Sequence, residues 1–419
     1  MLLRNMTPTL SASENWSTGK KISFRFFTTY FLLYLLPLNP VLWFRIIPWV
    51  GRTLLKLPYE ITVFPNGSGD TTFNYVQIAC YLTVATVVCL VWSLLDRQRL
   101  TYNQALYWLL VVLRYYLASM MMLYGFSKIN HAQFPFPGPF QLSQPLGQFS
   151  PMGLAWAFMG YSTGYNWFTG TAEVMGGILL LFRRTTVLGG IILTAVIGNI
   201  VAMNFAFDIP VKLFSLHLLL LTLFILLPDA GRLMNLLVWN RPTTRRDLTP
   251  VFATKPLLLA RLVVKILLIG GFLAPRLIGL VTPIGKPVTD RTNKPPFNSL
   301  YQITQLRLNG DSVLADSSRW RQIVIGGSRQ KTSLLVRMAN DSVRRYQLEM
   351  DTLQRLATFY QDTTRKYKLT YFQPDSKSLV LSGRLAADSI FVRLNRQTDD
   401  NYLLVKRGFH WINEYPFNR

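Results

Sequence analysis

Residues 165–182 read Tyr165-Asn166-Trp167-Phe168-Thr169-Gly170-Thr171-Ala172-Glu173-Val174-Met175-Gly176-Gly177-Ile178-Leu179-Leu180-Leu181-Phe182. A long apolar run of helix-type composition is a candidate membrane span. It carries a single ionisable group, Glu173. A carboxylate inside a span is expensive, so it marks a site or a structural pair by default. Gly170, Gly176 and Gly177 predict close approach of neighbouring helices.

Six further runs share this character, at 23–38, 75–95, 105–126, 187–205, 211–227 and 256–281. With 165–182 they predict about seven spans. A shorter apolar piece, 151–161, cannot cross and reads as a re-entrant half-helix or an interfacial helix. The Trp-flanked stretch 43–49 reads as interfacial. Residues 1–21 are an N-terminal tail whose polar start does not fit a cleavable signal peptide.

Composition agrees. Half of the 419 residues are hydrophobic and 15% are charged, which excludes a disordered chain. Two cysteines exclude a disulfide scaffold. The net charge of +24 suggests nucleic acid until its distribution is read. Residues 1–283 hold 22 Lys+Arg and only 8 Asp+Glu; residues 284–419 hold 22 and 12. Much of the basic excess is therefore a topology signal. Thirteen basic residues fall on one set of loops and six on the other. This predicts a bacterial inner-membrane protein with a cytoplasmic N-terminus and a periplasmic C-terminal domain, and no nucleic-acid partner.

The predicted architecture is an α-helical membrane bundle over 22–283, then a β-rich domain over 284–419, a small barrel or sandwich. Strands are expected at 305–308, ahead of the Asn309-Gly310 turn, and at 333–337, 367–372, 378–382, 390–394 and 402–405. One helix is expected at 350–360. The aromatic-rich closing segment 407–417 is expected to pack on the domain or the membrane surface.

Arg114 and Glu173 each lie about nine residues from the inner ends of their spans. Equal depth predicts a buried Arg114–Glu173 pair, either a site or a register-fixing contact. Arg261 and Lys265 in the last span are expected to snorkel or face the bundle. Lys128, His131, Asp208, Lys212, His217 and Asp70 gather at the opposite side and are candidates to line one cavity suited to proton transfer or anion binding. Of these, Lys128, Asp208, Lys212 and His217 are the catalytic candidates. Arg114, Glu173, Asp70 and His131 are the binding candidates. Asp208 and Lys212 have ion-pair spacing, and Asp208 suits the start of the helix that follows Pro210. His217 is a site residue or a satisfied core histidine. The histidines show no metal-ligand spacing, so no metal is predicted. Cys80 and Cys89, about 13.5 Å apart along one helix, cannot bridge each other.

Leu113-Arg114, Tyr124-Gly125-Phe126-Ser127-Lys128, Thr169-Gly170-Thr171-Ala172-Glu173, Gly176-Gly177 and Arg183-Arg184 occur in an order that resembles the DoxX-like family of bacterial membrane proteins. The core of the likeness lies at 105–228. It implies a compact helical bundle with Arg114, Lys128 and Glu173 at family-matching positions. Some members are the small subunit of a thiosulfate:quinone oxidoreductase, and others join a rhodanese in oxidative-stress complexes. The resemblance thus implies quinone as a cofactor and a quinone-linked oxidoreductase component. The alternative is a non-enzymatic envelope protein whose β domain docks a protein partner. Residues 407–419 resemble the ends of DoxX-family proteins of Bacteroidota. The layout of bundle plus β domain also resembles vitamin K-dependent carboxylase-type membrane proteins, in architecture alone.

Overall fold

A computed structural model describes residues 15–36, 40–62, 67–243, isolated positions between 259 and 278, and most of 297–413. The expected span 256–281, with Arg261 and Lys265, lies outside the described residues apart from those isolated positions. The chain forms two compact units, one of residues 1–133 with 164–283, the other of 134–163 with 284–419.

The first unit contains α1 (Thr18–Leu35), α2 (Pro40–Thr53), α3 (Thr72–Leu95) and α4 (Asn103–Ile129). It continues with α7 (Thr163–Leu181, in this unit from Gly164), α8 (Thr186–Ala206), α9 (Lys212–Leu226) and α10 (Ala230–Leu237). Four helical segments among the described residues are long and apolar enough to cross a membrane: Thr72–Leu95, Asn103–Ile129, Thr186–Ala206 and Lys212–Leu237. The runs at 23–38 and 165–182 form α1 and α7 but are not among these four. Leu113, Leu117, Met121, Leu180, Leu193 and Leu221 fill the centre of this unit.

Helix ends follow local chemistry. Thr71 caps α3, and Asn74 reaches back to its backbone N–H. At the other end of α3, the buried Arg25 of α1 donates to the Tyr102 hydroxyl, to Ser93 Oγ and to the Asp96 carbonyl. Tyr102 in turn donates to Asp96 Oδ2 at 2.7 Å. That hydrogen bond holds the Asp96 carboxyl below the usual carboxylate range. Arg25 is a buried latch joining α1, α3 and the turn into α4.

The second unit is built on an antiparallel sheet. Its strands are β1 (Ser299–Leu308), β2 (Asp311–Ser312), β3 (Trp320–Gly327), β4 (Thr332–Met338) and β5 (Val343–Asp351). β6 (Leu356–Tyr360), β7 (Lys366–Phe372), β8 (Ser378–Leu385) and β9 (Asp388–Gln397) follow. Neighbours in sequence pair throughout, and β9 returns to pair with β1 over Leu300–Leu308. The result is a closed eight-stranded barrel; β2 only extends the β1 hairpin at Arg307 and Leu308. Closure leaves no open edge. The Asn309-Gly310 turn forms as expected, with both residues at positive φ.

Alternation turns Ile323, Val336, Phe359, Leu369, Leu381 and Val392 into the interior. Irregular register at Ile303/Gln305 and Trp320/Gln322 resets the phase, so Tyr301, Ile303 and Leu306 are all buried. Eight strands give an interior that side chains can fill, and here they do.

Two expectations fail. Residues 350–360 are not a helix: β5 ends at Asp351, a turn spans 352–355, and β6 begins at Leu356. Asp351 Oδ1 accepts the N–H groups of Leu353 and Gln354, which makes a side-chain-stabilised turn. Residues 402–405 are not a strand: Leu403–Lys406 is a single helical turn, α11. Strands β2, β3, β5 and β6 are additions to the expected set.

The segment 134–163 also belongs to this unit. It carries α5 (Pro139–Ser143) and α6 (Pro151–Tyr161). Phe140 of α5 covers Leu300, Val324 and Leu335, which point out of the barrel wall, and the Arg345 guanidinium lies over its ring.

Candidate functional site

α7 runs antiparallel to both α4 and α8, and small residues set its register. A Cβ on Gly125 would stand 2.5 Å from the Gly170 carbonyl oxygen, and one on Gly170 the same distance from that of Gly125. Two turns away, Gly177 lies against Ala118. On its other side, Gly176 lies against Leu193 of α8. The backbones therefore approach as only glycine permits.

This register decides which charges meet. Opposite Glu173 on α4 is Met122, about 12 Å by helix rise from Arg114. Helix side chains lean toward their own N-terminus. On antiparallel helices Arg114 and Glu173 lean apart, while Lys128 and Glu173 lean toward each other across the glycine contact. The expected Arg114–Glu173 pair does not form. Lys128 Nζ pairs with Glu173 Oε1, and Arg114 donates Nε and Nη2 to the Leu180 carbonyl at 3.0 and 2.8 Å.

Both partners of the pair are buried, Lys128 at 6% exposure and Glu173 at 0%. Glu173 Oε2 is buried without a hydrogen-bond partner among the described residues. Burying an acceptor unsatisfied costs about 1–3 kcal/mol, more when it is charged. The Tyr124 hydroxyl is within electrostatic reach of Glu173. Val174, Met121 and Met122 supply an apolar surround.

A polar layer continues toward the same end of the bundle. Asn166 of α7, fully buried, contacts His131 Nδ1 through Nδ2 at 3.3 Å. His131 sits just past α4 at positive φ. By the Gly176–Leu193 register, Asn204 of α8 lies at the depth of Asn166. Its Nδ2 is buried and has no partner among the described residues. Tyr124, Asn166 and Asn204 escaped the sequence reading, because uncharged polar residues in a span raise no alarm. Asn166, two turns before Glu173 on the same face, was the readable signal.

The other predicted site residues fall into separate contacts. Asp70 accepts the Lys212 and Leu213 backbone N–H groups at 2.7 and 2.9 Å, so it caps α9 from a distant loop. The expected cap, Asp208, instead receives Lys212 Nζ at 2.7 Å, as an exposed ion pair. Lys212 also stands 3.9 Å from Asp70. His217 Nδ1 faces the Leu213 carbonyl at 2.6 Å, which makes it the donor. Its Nε2 then accepts from the Tyr30 hydroxyl at 2.5 Å, and its ring stacks on Tyr34 at 4.3 Å. His217 is thus a satisfied residue at the junction of α1 and α9. Cys80 and Cys89 are both free.

No group of His, Cys, Asp and Glu among the described residues could hold a metal ion. A quinone makes different demands. Its carbonyls need donors and its reduced hydroxyls need acceptors. Lys128 has N–H groups beyond the one Glu173 engages, and Glu173 Oε2 is an unused acceptor. Lys128 and Glu173 thus supply one donor and one acceptor of the kinds such a head group needs.

The DoxX family model matches residues 109–208, which contain Arg114, Lys128, Glu173 and the whole glycine crossing. A relative from Bacillus subtilis (strain 168), "Uncharacterized protein YwoB", is 35% identical over 123 residues, 29% of this chain and 78% of the relative. No solved structure matches the chain. The order of the charged and glycine positions, their convergence at one helix crossing and these similarities lead to one conclusion: this chain belongs to the DoxX family and is a membrane protein.

Proposed function

We propose that the chain is the membrane component of a quinone-linked oxidoreductase, with the Lys128–Glu173 pair as its chemical centre. The orphaned Glu173 Oε2 beside a buried ammonium carries this reading. A quinone supplies two-electron chemistry within the bilayer when bound. Lys128 donates to the head-group oxygen and holds positive charge near it. Glu173 accepts a hydroxyl hydrogen bond at Oε2 and holds the proton there. Tyr124 offers a second donor. The apolar surround excludes water and strengthens each of these interactions.

The reading includes an inner-membrane location, a cytoplasmic N-terminus and a periplasmic barrel. The reading assigns the delivery of electrons to a protein partner. The test is equilibrium binding of a short-tailed quinone to the full chain in lipid nanodiscs, for the native sequence and for Lys128→Met. Saturable binding that weakens at least tenfold in the variant supports the proposal. Absence of saturable binding to the native chain removes it and leaves the second reading, a non-enzymatic envelope protein that docks partners on the barrel. The filled barrel interior favours that use of its outer wall over ligand storage.

A further inference from the structure

One arginine of the barrel wall is enclosed without a counter-ion. Arg337 of β4 is only 5% exposed. Leu334, Val336 and Met338 of the same strand face the interior, so alternation turns Arg337 outward together with Leu335. Gln322 of β3 and Val343 of β5 stand opposite it. Beside it, Phe140 of α5 and Val343 pack on the outer cluster of Leu300, Val324 and Leu335.

The Arg337 side chain makes no hydrogen bond or ion pair among the described residues, yet its nitrogens are not among the fully enclosed atoms. A narrow opening therefore leads to the charge. Burial pushes its pKa down and the Arg321 charge adds to this, while Asp341 acts the other way. A guanidinium nevertheless keeps its proton. A charge enclosed without a partner is costly, and that cost falls when an anion enters.

The neighbourhood gathers more positive charge than it neutralises. Arg321 is the extra residue of β3, in the register shift between Trp320 and Gln322. Trp320 and Ile323 both face the interior, so this bulge turns Arg321 and Gln322 outward, beside Arg337. Arg345, two residues beyond Val343, lies on the diagonal from Arg337, a spacing of about 7–8 Å in a sheet. Its guanidinium stands 5.4 Å from the centre of the Phe140 ring, which holds it against the wall. Asp341 is the carboxylate within electrostatic reach of Arg337, and it is already ion-paired to Arg321. The segment that carries α5 brings no other, because from Ala132 to Ala172 the chain has no Asp, Glu, Lys or Arg. Three guanidinia around one carboxylate leave two positive charges in excess.

We propose that this part of the outer wall binds a phosphomonoester group, with Arg337 at its centre and Arg321 and Arg345 at its rim. The guanidinium fork matches phosphate oxygens in pairs. A phosphomonoester carries about −1.5 to −2 charges at pH 7, which balances the excess, whereas a single carboxylate leaves half of it. Gln322 adds an amide donor opposite Arg337. Arg321 and Asp341 are half-exposed, so the group enters from their side. A soluble phosphate ester and a lipid headgroup both supply this chemistry.

The test is calorimetric titration of the full chain in phosphatidylcholine nanodiscs with inorganic phosphate, glycerol 3-phosphate and acetate. Saturable binding of either phosphate, at least tenfold tighter than acetate, is expected for the native chain. The same affinity is expected for Arg384→Gln, at an exposed arginine of β8. Arg337→Gln should lose at least tenfold. Absence of saturable phosphate binding to the native chain overturns the proposal. So does native affinity in Arg337→Gln, which would mark diffuse surface charge, and so does acetate that binds as tightly as phosphate. Should Arg337→Gln fail to fold, Arg321→Gln at its half-exposed position replaces it, with at least a threefold loss expected and native affinity overturning the proposal. Once phosphate binding is measured, phosphatidic acid in the nanodisc separates the two sources: competition with inorganic phosphate assigns a lipid headgroup, and unchanged phosphate affinity assigns a soluble ester. None of these residues belongs to the Lys128–Glu173 site, so quinone binding reports separately on the proposed function.

Discussion

Inside the barrel, Ile323, Val336, Leu369, Val392 and Leu394 belong to one apolar cluster. Between α4 and α7, a lysine and a glutamate occupy the tightest part of the contact. Both interiors are well packed, and the helix crossing retains a polar atom with unused hydrogen-bonding capacity among the described residues. The barrel needs no polar interior, because its backbone is satisfied around the closed sheet. The helix crossing gains nothing in stability from a buried ion pair that apolar side chains could replace. A buried charge that stability does not require is where chemistry is to be sought.

The contrast can be broken most severely at the crossing. Gly170→Leu puts a side chain into the Gly125 carbonyl and should abolish the folded bundle, read as loss of monodisperse full-length protein on size exclusion. Gly326→Ala in the barrel, where the nearest atom to a new Cβ is the Asn298 side-chain oxygen at 3.8 Å, should leave the protein recoverable.

Removing one charge comes next. Lys128→Leu or Glu173→Leu alone should cost about 3–5 kcal/mol by strand-ed partner charge, whereas the double variant should recover most of that loss. Chemical denaturation in detergent measures this cycle. Equal losses in the double variant would show that packing, not charge, holds the crossing.

In the barrel, Leu394→Ala should cost about 2–4 kcal/mol by cavity formation, with no effect on ligand binding. Asp70→Ala should cost about 1–2 kcal/mol through the lost cap on α9 and leave the Lys128–Glu173 pair intact. The smallest effect is at Asp96. Its carboxyl is depressed in the folded state, so its contribution is present above about pH 4 and lost as pH falls through the folded value. Tyr102→Phe should weaken that pH dependence of stability.

Much of this arrangement was legible in the sequence, and the failures are physical. Apolar runs and glycines announced the bundle, and Asn309-Gly310 announced the first hairpin. Glu173 announced a buried carboxylate. Its partner was misread because depth from the span ends ignores the register set by Gly125 and Gly170. That register moves Arg114 about 12 Å out of line. The helix expected at 350–360 failed because the Asp351 side chain makes a turn that composition conceals. The seven-residue aromatic content of 134–163 was visible, but not its attachment to the barrel wall through Phe140.

The central claim is that chemistry belongs to Lys128 and Glu173 and not to the exposed Asp208–Lys212 pair. Binding of a short-tailed quinone to the full chain in nanodiscs should be compared for Glu173→Gln and Asp208→Asn. The account predicts at least a tenfold loss of affinity for Glu173→Gln, with Asp208→Asn unchanged. Native affinity in Glu173→Gln, or loss confined to Asp208→Asn, would contradict it.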